Sequence, residues 1–209
     1  MNVAIICATA IVAGAAGLAG IRGLNVDARP VAPASAASEQ VKAEFAIDAG
    51  HSSIVYGIKH MGVGKFWGRF DSMSGKFFLD DAGTAVLGAE ITVKAESVST
   101  GIKNRDDHLK SADFFSVAEF PEITFKGASA SDAGKDVLKG TITMLGKTVP
   151  VEAKITHAAS AANPRGGTIG GLEARFTIKR SDFGMKYGID NGALGDEVEM
   201  IVGLEGKKN

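Results

Sequence analysis

The densest run of chemistry-bearing side chains is Lys103, Asn104, Arg105, Asp106, Asp107 and His108, followed at once by apolar Leu109. A guanidinium, carboxylates and an imidazole this close together offer charge stabilisation and proton transfer. Arg105, Asp106 and His108 are therefore the acid–base set an enzyme would use. Ser111 adds a hydroxyl nearby, but no nucleophile-elbow pattern surrounds it. The same run also reads as the solvated face of a short helix with i,i+3 and i,i+4 pairs. A third reading is a polar collar at the mouth of a barrel, where Arg105 and His108 fix the head group of an apolar ligand.

Other patterns carry less. His51, His60, His108 and His157 are dispersed, none is at i,i+4 from another ligand, and the lone Cys7 supplies no thiolate pair. Gly140 to Thr148 looks like a phosphate loop, but its spacing is one residue too long and its interior alternates like a strand, so a hairpin turn at Leu145, Gly146 and Lys147 is expected. Asp182, Phe183 and Gly184 match a kinase tripeptide without the rest of that signature. The net charge of −1 gives no basic excess to grip a nucleic-acid backbone.

The elements that must position these residues are strands. Leu87, Ala89, Ile91, Val93 and Ala95 alternate with Glu90, Thr92, Lys94 and Glu96, which places one dry face and one wet face on a strand. The period of two recurs at Ile54–Ile58, Phe66–Phe70, Phe77–Leu79, Ile123–Phe125, Leu138–Met144, Val149–Ile155, Leu172–Ile178 and Val198–Leu204. Turn residues such as Ser74-Gly75, Gly166-Gly167 and Asn191-Gly192 punctuate these runs. About eight antiparallel strands result, and they must close as a two-sheet sandwich or as a barrel. Residues 103–115 interrupt the alternation and predict a short helix or lid. Small residues (Gly57, Ala89, Ala95, Gly140, Ala153 and Ala174) are expected at core-facing positions, where they either let sheets approach or leave a hollow.

Composition divides the chain. No Phe, Trp or Tyr precedes Phe45, and Val3–Ile21 is uncharged and rich in Ala and Gly. With Ala34, Ser35 and Ala36 as a small-x-small cleavage signature, residues 1–36 read as an export signal or an uncleaved N-terminal anchor. Residues 37–43 read as a linker and 44–206 as the body, which either option carries to a periplasmic location.

Across that body, a series of short motifs resembles the YceI-like family. They include Asp48, His51 and Ser52; Ile58, His60 and Gly62; Gly68, Arg69 and Phe70; Arg105, Asp106, His108 and Leu109; Asp113 to Phe115; Phe120, Pro121, Ile123 and Phe125; Gly146, Pro150 and Val151; and Arg180 to Gly184. They occur in order from about Phe45 to Glu205, with Met61 standing where the family usually has Leu. The resemblance implies an all-β, lipocalin-like antiparallel barrel, exported and non-enzymatic, that binds a long isoprenoid, a quinone-like molecule or a fatty-acid-type lipid as carrier or sequestering protein. Some members of the family are associated with stress responses.

Carried onto this chain, the resemblance makes Tyr56, Ile58, Phe70, Ala89, Ile91, Val93, Phe125, Ile142, Met144, Val151, Ala153, Phe176, Met200 and Val202 the expected channel lining. Arg105, Asp106 and His108 become the expected polar end, with His51, His60 and Arg69 as further candidates. No catalytic residue, metal or cofactor other than a bound lipid is expected, and nucleic acid is not a partner. Contact with a membrane would be transient, and two barrels could pair as a homodimer. The alternatives are an enzyme using Arg105, Asp106 and His108 on a lipid-like substrate, or a filled barrel that docks a membrane redox partner.

Overall fold

The computed structural model describes residues 42–129 and 136–209. The signal or anchor expected over residues 1–36, and the linker up to residue 41, lie outside the described residues.

The alternating runs form β1 (Ala43–Ile47), β2 (Ser53–His60), β3 (Gly64–Phe70), β4 (Met73–Leu79), β5 (Val86–Lys94), β6 (Val98–Ser99), β7 (Glu122–Ser129), β8 (Val137–Met144), β9 (Lys147–Ala162), β10 (Thr168–Lys179) and β11 (Leu194–Lys208). The single described α-helix, α1 (Lys103–Leu109), lies between β6 and β7, inside the segment expected as helix or lid. All pairings are antiparallel, and β11 pairs with both β1 and β2.

Among the described residues, eleven segments make eight strands. A 3₁₀ turn at Ala49–His51 breaks one strand into β1 and β2, Asp71 and Ser72 separate β3 from β4, and a second 3₁₀ turn at Ala95–Ser97 separates β5 from β6. Both halves of the first strand pair with both halves of the second, β1 with β4 and β2 with β3. Strands β7 to β11 then follow as neighbours, and β11 closes the ring onto β1 and β2. Closure leaves no long unpaired edge among the described strands, which is how an antiparallel sheet with one dry face satisfies its backbone. The sandwich left open by the alternation is thereby excluded.

The inward positions differ between the two ends. At one end the barrel is solid: Phe45 and Phe77 stack with ring centroids 5.3 Å apart and 8° between planes, and Leu79 beside them is fully buried. Glycines make room for this floor. A Cβ on Gly170 would lie 2.6 Å from the Phe45 ring, and one on Gly206 would lie 2.6 Å from the Ala46 carbonyl oxygen and 2.9 Å from the Phe77 ring. At the other end α1 and the turns after it lie across the opening, and Phe115 packs edge-on to Phe70 at 5.5 Å.

The expectation that Gly57 faces the core is corrected. Ile54, Tyr56 and Ile58 line the interior, so Gly57 takes the opposite face, where the Trp67 ring covers it from outside. Ala89, Ala153 and Ala174 do face inward, whereas Gly140 is filled over by the Phe125 ring. The turn at Leu145 (φ 52°) and Gly146 (φ 71°) has both central residues left-handed, as a tight two-residue hairpin requires.

Candidate functional site

Between floor and lid lies a cavity of about 670 Å³. Eight strands give an interior that can hold one small ligand, and the placement of Ala89, Ala153 and Ala174 on the wall explains why this one is not filled by its own side chains. The strand from Ile54 to His60 spans its depth, roughly 20 Å along the chain at about 3.3 Å per residue. At about 30 Å³ per heavy atom, the share of a water molecule in the liquid, the volume admits about 20 heavy atoms.

Thirteen of the fourteen residues expected to line a channel are on this wall. The exception is Val151, which is half-buried and packs with Val149 against the cluster of Phe114, Ile142, Met144, Phe183 and Met185. Its strand has the correct face inward, but that cluster screens it from the hollow.

The polar groups of the wall gather at the lid end. Arg105 donates from Nε to Thr100 Oγ1 at 2.9 Å and from a terminal nitrogen to the Thr100 carbonyl at 3.2 Å, and its guanidinium carbon lies 3.9 Å from the centroid of the Phe66 ring. A cation stacked on an aromatic face and tied at one edge keeps its remaining donors directed elsewhere. His108 shares a 2.9 Å hydrogen bond between Nε2 and Asp113 Oδ2, and stands edge-on to Phe114 and Tyr187, each at 5.0 Å. His60 also reaches the wall at the mouth.

The other three polar candidates are placed elsewhere. Asp106 is not on the wall: its Oδ1 accepts from the Thr100 amide at 2.8 Å and from the Thr100 hydroxyl, so it fixes the loop that holds Arg105. Arg69 points outward because Phe70 beside it points inward, and it pairs with Asp71 at 2.6 Å. His51 precedes β2 while His60 ends it, so the two lie at opposite ends of the barrel, and His51 pairs with Asp48 at 3.3 Å.

The acid–base set does not assemble as a triad. The Ser111 hydroxyl donates to the backbone carbonyl of His108 at 2.7 Å, and the carboxylate on His108 is Asp113 instead of Asp106. Among the described residues no three His, Cys, Asp or Glu side chains come together as a metal site.

Two wall residues were not singled out as site candidates by their chemistry. Arg180 is 2% exposed; it donates from Nε to the Gly195 carbonyl at 2.8 Å and to the carbonyls of Met185 and Leu194 at 3.4 Å. Burial lowers its pKa from the ordinary arginine value and nearby Asp196 opposes that shift. Its signal in the sequence is parity, because Leu172, Ala174, Phe176 and Ile178 point inward and Arg180 continues that series.

Tyr56, expected only as apolar lining, is the other. Its ring crosses Gly68, where a Cβ would lie 2.4 Å from the hydroxyl, and its buried Oη has no hydrogen-bond partner among the described residues. Burial, with a smaller push from Asp106, raises its pKa well above the ordinary phenol value, against the opposing charge of Arg105. A buried hydroxyl without a partner costs about 1–3 kcal/mol. Tyr56→Phe is therefore expected to raise stability by about 1 kcal/mol in urea unfolding, and a destabilised variant would mean that the hydroxyl is bonded after all.

The arrangement is a deep apolar sleeve, closed by aromatics at one end, with cationic and aromatic groups at the other. It can take a long apolar molecule end-on and hold a polar head near Arg105, His108 and Tyr56. A family model described as "YceI-like domain" matches residues 45–206. Protein YceI of Escherichia coli is 34% identical over 173 residues, covering 81% of this chain and 90% of that protein. The crystal structure of Burkholderia cenocepacia BcnA superposes with a TM-score of 0.65 at 25% identity, over 77% of this chain and 99% of that one. A polyisoprenoid binding domain from Saccharophagus degradans shares the fold, with a TM-score of 0.60 at 17% identity over 81% of this chain and all of that domain.

Proposed function

The chain belongs to the YceI-like family, and on that premise we propose that its barrel holds one long-chain lipid (an isoprenoid, a quinone-like molecule or a fatty-acid derivative) as a carrier or sequestering protein without chemical turnover. The observation that carries this reading is the 670 Å³ hollow, apolar along its depth and polar only at its mouth. A neighbour with the same fold is a polyisoprenoid binding domain, which supports the ligand class.

The energetics suit a carrier. About 20 buried chain carbons, at about 0.8 kcal/mol each, correspond to roughly 16 kcal/mol of gross transfer from water. Against a bilayer, where the tail is already dry, most of that difference disappears and exchange is nearly balanced. A tail much longer than the cavity must fold back on itself, keep part of its length outside the mouth or spread the walls.

Organic-solvent extraction of the protein purified under gentle conditions, followed by mass spectrometry, tests the reading. A stoichiometric lipid supports it; no lipid, together with no uptake of offered lipid, overturns it. The uncharged Val3–Ile21 run and the Ala34–Ala36 signature support export to the periplasm, and N-terminal sequencing of the exported protein tests that part.

Arg105 provides a separate check of head-group recognition. A charged hydrogen bond contributes about 1.5–3 kcal/mol, so Arg105→Ala should weaken binding of a carboxylated or carbonyl-headed lipid by tenfold or more. Binding of a headless hydrocarbon of the same length should hardly change. Equal losses for both ligands in a competition titration would show that Arg105 acts on the shape of the mouth and not on the head.

A further inference from the structure

The large apolar side chains that stand exposed among the described residues are Met61, Val63, Trp67, Ile102 and Tyr187. All five belong to the end of the barrel where the cavity opens. Met61 and Val63, the latter 93% exposed, form the tip of the β2–β3 hairpin, and the Met61 amide donates to the Ala193 carbonyl at 3.0 Å. That bond joins the hairpin to the loop that follows Tyr187. Tyr187 packs on His108 of α1, and Ile102 caps the first turn of the same helix. Trp67 stands on the outer wall just below the hairpin, over Gly57. The opposite end exposes no large apolar side chain among the described residues; its turns present Asp81, Ala82, Thr84, Pro164 and Arg165.

The rim carries charge of both signs: Lys59 and Lys186 are exposed next to His60 and Tyr187, and so are Asp182 and Asp190 in the loop between β10 and β11 and Asp113 and Glu119 after α1. The outer wall below is covered with ion pairs such as Lys94 with Glu122, Arg175 with Glu199 and Lys139 with Glu152. That wall is the inverse of a membrane-spanning barrel, which carries an apolar band outside, so among the described residues the rim is the part fit to enter hydrocarbon.

From these placements we infer that the mouth rim docks on a lipid bilayer: Met61, Val63, Ile102 and Tyr187 enter the interface, and Trp67 lies at the level of the head groups. This rests on the reading of the cavity as a lipid site, because the rim then has a reason to face a bilayer. Each methylene that must cross water on its way into the barrel costs about a factor of four, and a mouth pressed against hydrocarbon removes that crossing. Single apolar tips with Trp, Tyr and Lys around them are the composition of interfacial anchors.

The test uses the full chain and its single tryptophan. In a Trp67→Phe background, Val63→Trp puts a reporter on the rim and Arg165→Trp puts one at the far end, both at exposed positions. Each protein is mixed with vesicles of equal parts phosphatidylglycerol and phosphatidylethanolamine carrying brominated acyl chains. The rim reporter is expected to be quenched severalfold more than the far-end reporter. Met61→Ser and Val63→Ser, in the parent chain with Trp67 kept, should weaken the association severalfold. Equal quenching of both reporters, or none, overturns the inference; equal quenching is what attachment by the N-terminal segment alone would produce. Uptake of a detergent-dispersed lipid is measured on the same proteins. Uptake without the quenching difference removes the docking surface and leaves the carrier, whereas the quenching difference without uptake supports the docking surface and removes the carrier.

Discussion

Ala153→Phe is expected to abolish lipid uptake while leaving the barrel folded. Ala153 and Ala174 are buried and line the hollow. A phenyl ring added at Ala153 takes roughly 180 Å³ at about 30 Å³ per heavy atom, about a quarter of the 670 Å³ cavity. It displaces about six chain carbons, or about 5 kcal/mol at about 0.8 kcal/mol each, so binding should fall more than a thousandfold. In a close-packed core the same insertion costs about 1–3 kcal/mol of stability. In the hollow the ring has room, and the urea midpoint should hardly move. Ala174→Phe should behave alike. Parallel loss of binding and stability in both variants would mean that the positions are ordinary packed core.

The second large effect is at the floor. Phe77 is fully buried, stacked on Phe45 and in contact with the position where Gly206 has no side chain. Phe77→Ala is expected to cost about 3–5 kcal/mol, as other Phe-to-Ala changes in cores do, out of a total that is typically about 5–15 kcal/mol. If the variant remains folded in the cold, its hollow extends downward and it should accept a longer chain than the parent. A loss below about 1 kcal/mol by urea unfolding would show that the floor is not a packed plug, and the cavity depth would need to be redrawn.

Local alternation told which faces of the strands are dry, and most of the wall follows from it. Ile54, Tyr56 and Ile58 on β2 and Leu172, Ala174 and Phe176 on β10 needed no long-range information. Arg69 was decidable by the same rule, since Phe70 beside it faces in, and so was Arg180, which ends an inward series. The choice of barrel over sandwich was not legible in the residues alone, because both architectures satisfy a period of two. Closure depends on pairs such as Phe45 with Lys208 and Tyr56 with Met200, which lie far apart in the chain.

The breaks that turn eight strands into eleven segments also left a faint trace, since a 3₁₀ turn of three residues has no periodicity of its own. His51 was drawn to the polar end by its motif, and only the eight-residue length of β2 shows that it stands at the other. The floor was hidden for a different reason: its signal is the absence of side chains at Gly170 and Gly206, which becomes meaningful only once Phe45 and Phe77 are seen to occupy that space.

The central claim is that the hollow, and not a surface, is the working part of the molecule, and a chain-length series tests it most directly. Dissociation constants for saturated fatty acids of increasing length, measured by competition against one fluorescent lipid, should improve about fourfold for each added methylene. The improvement should stop near about 20 heavy atoms, where the 670 Å³ cavity is full. Affinity that does not change with length, or that keeps rising at the same slope well beyond that point, would contradict an enclosed site of this size.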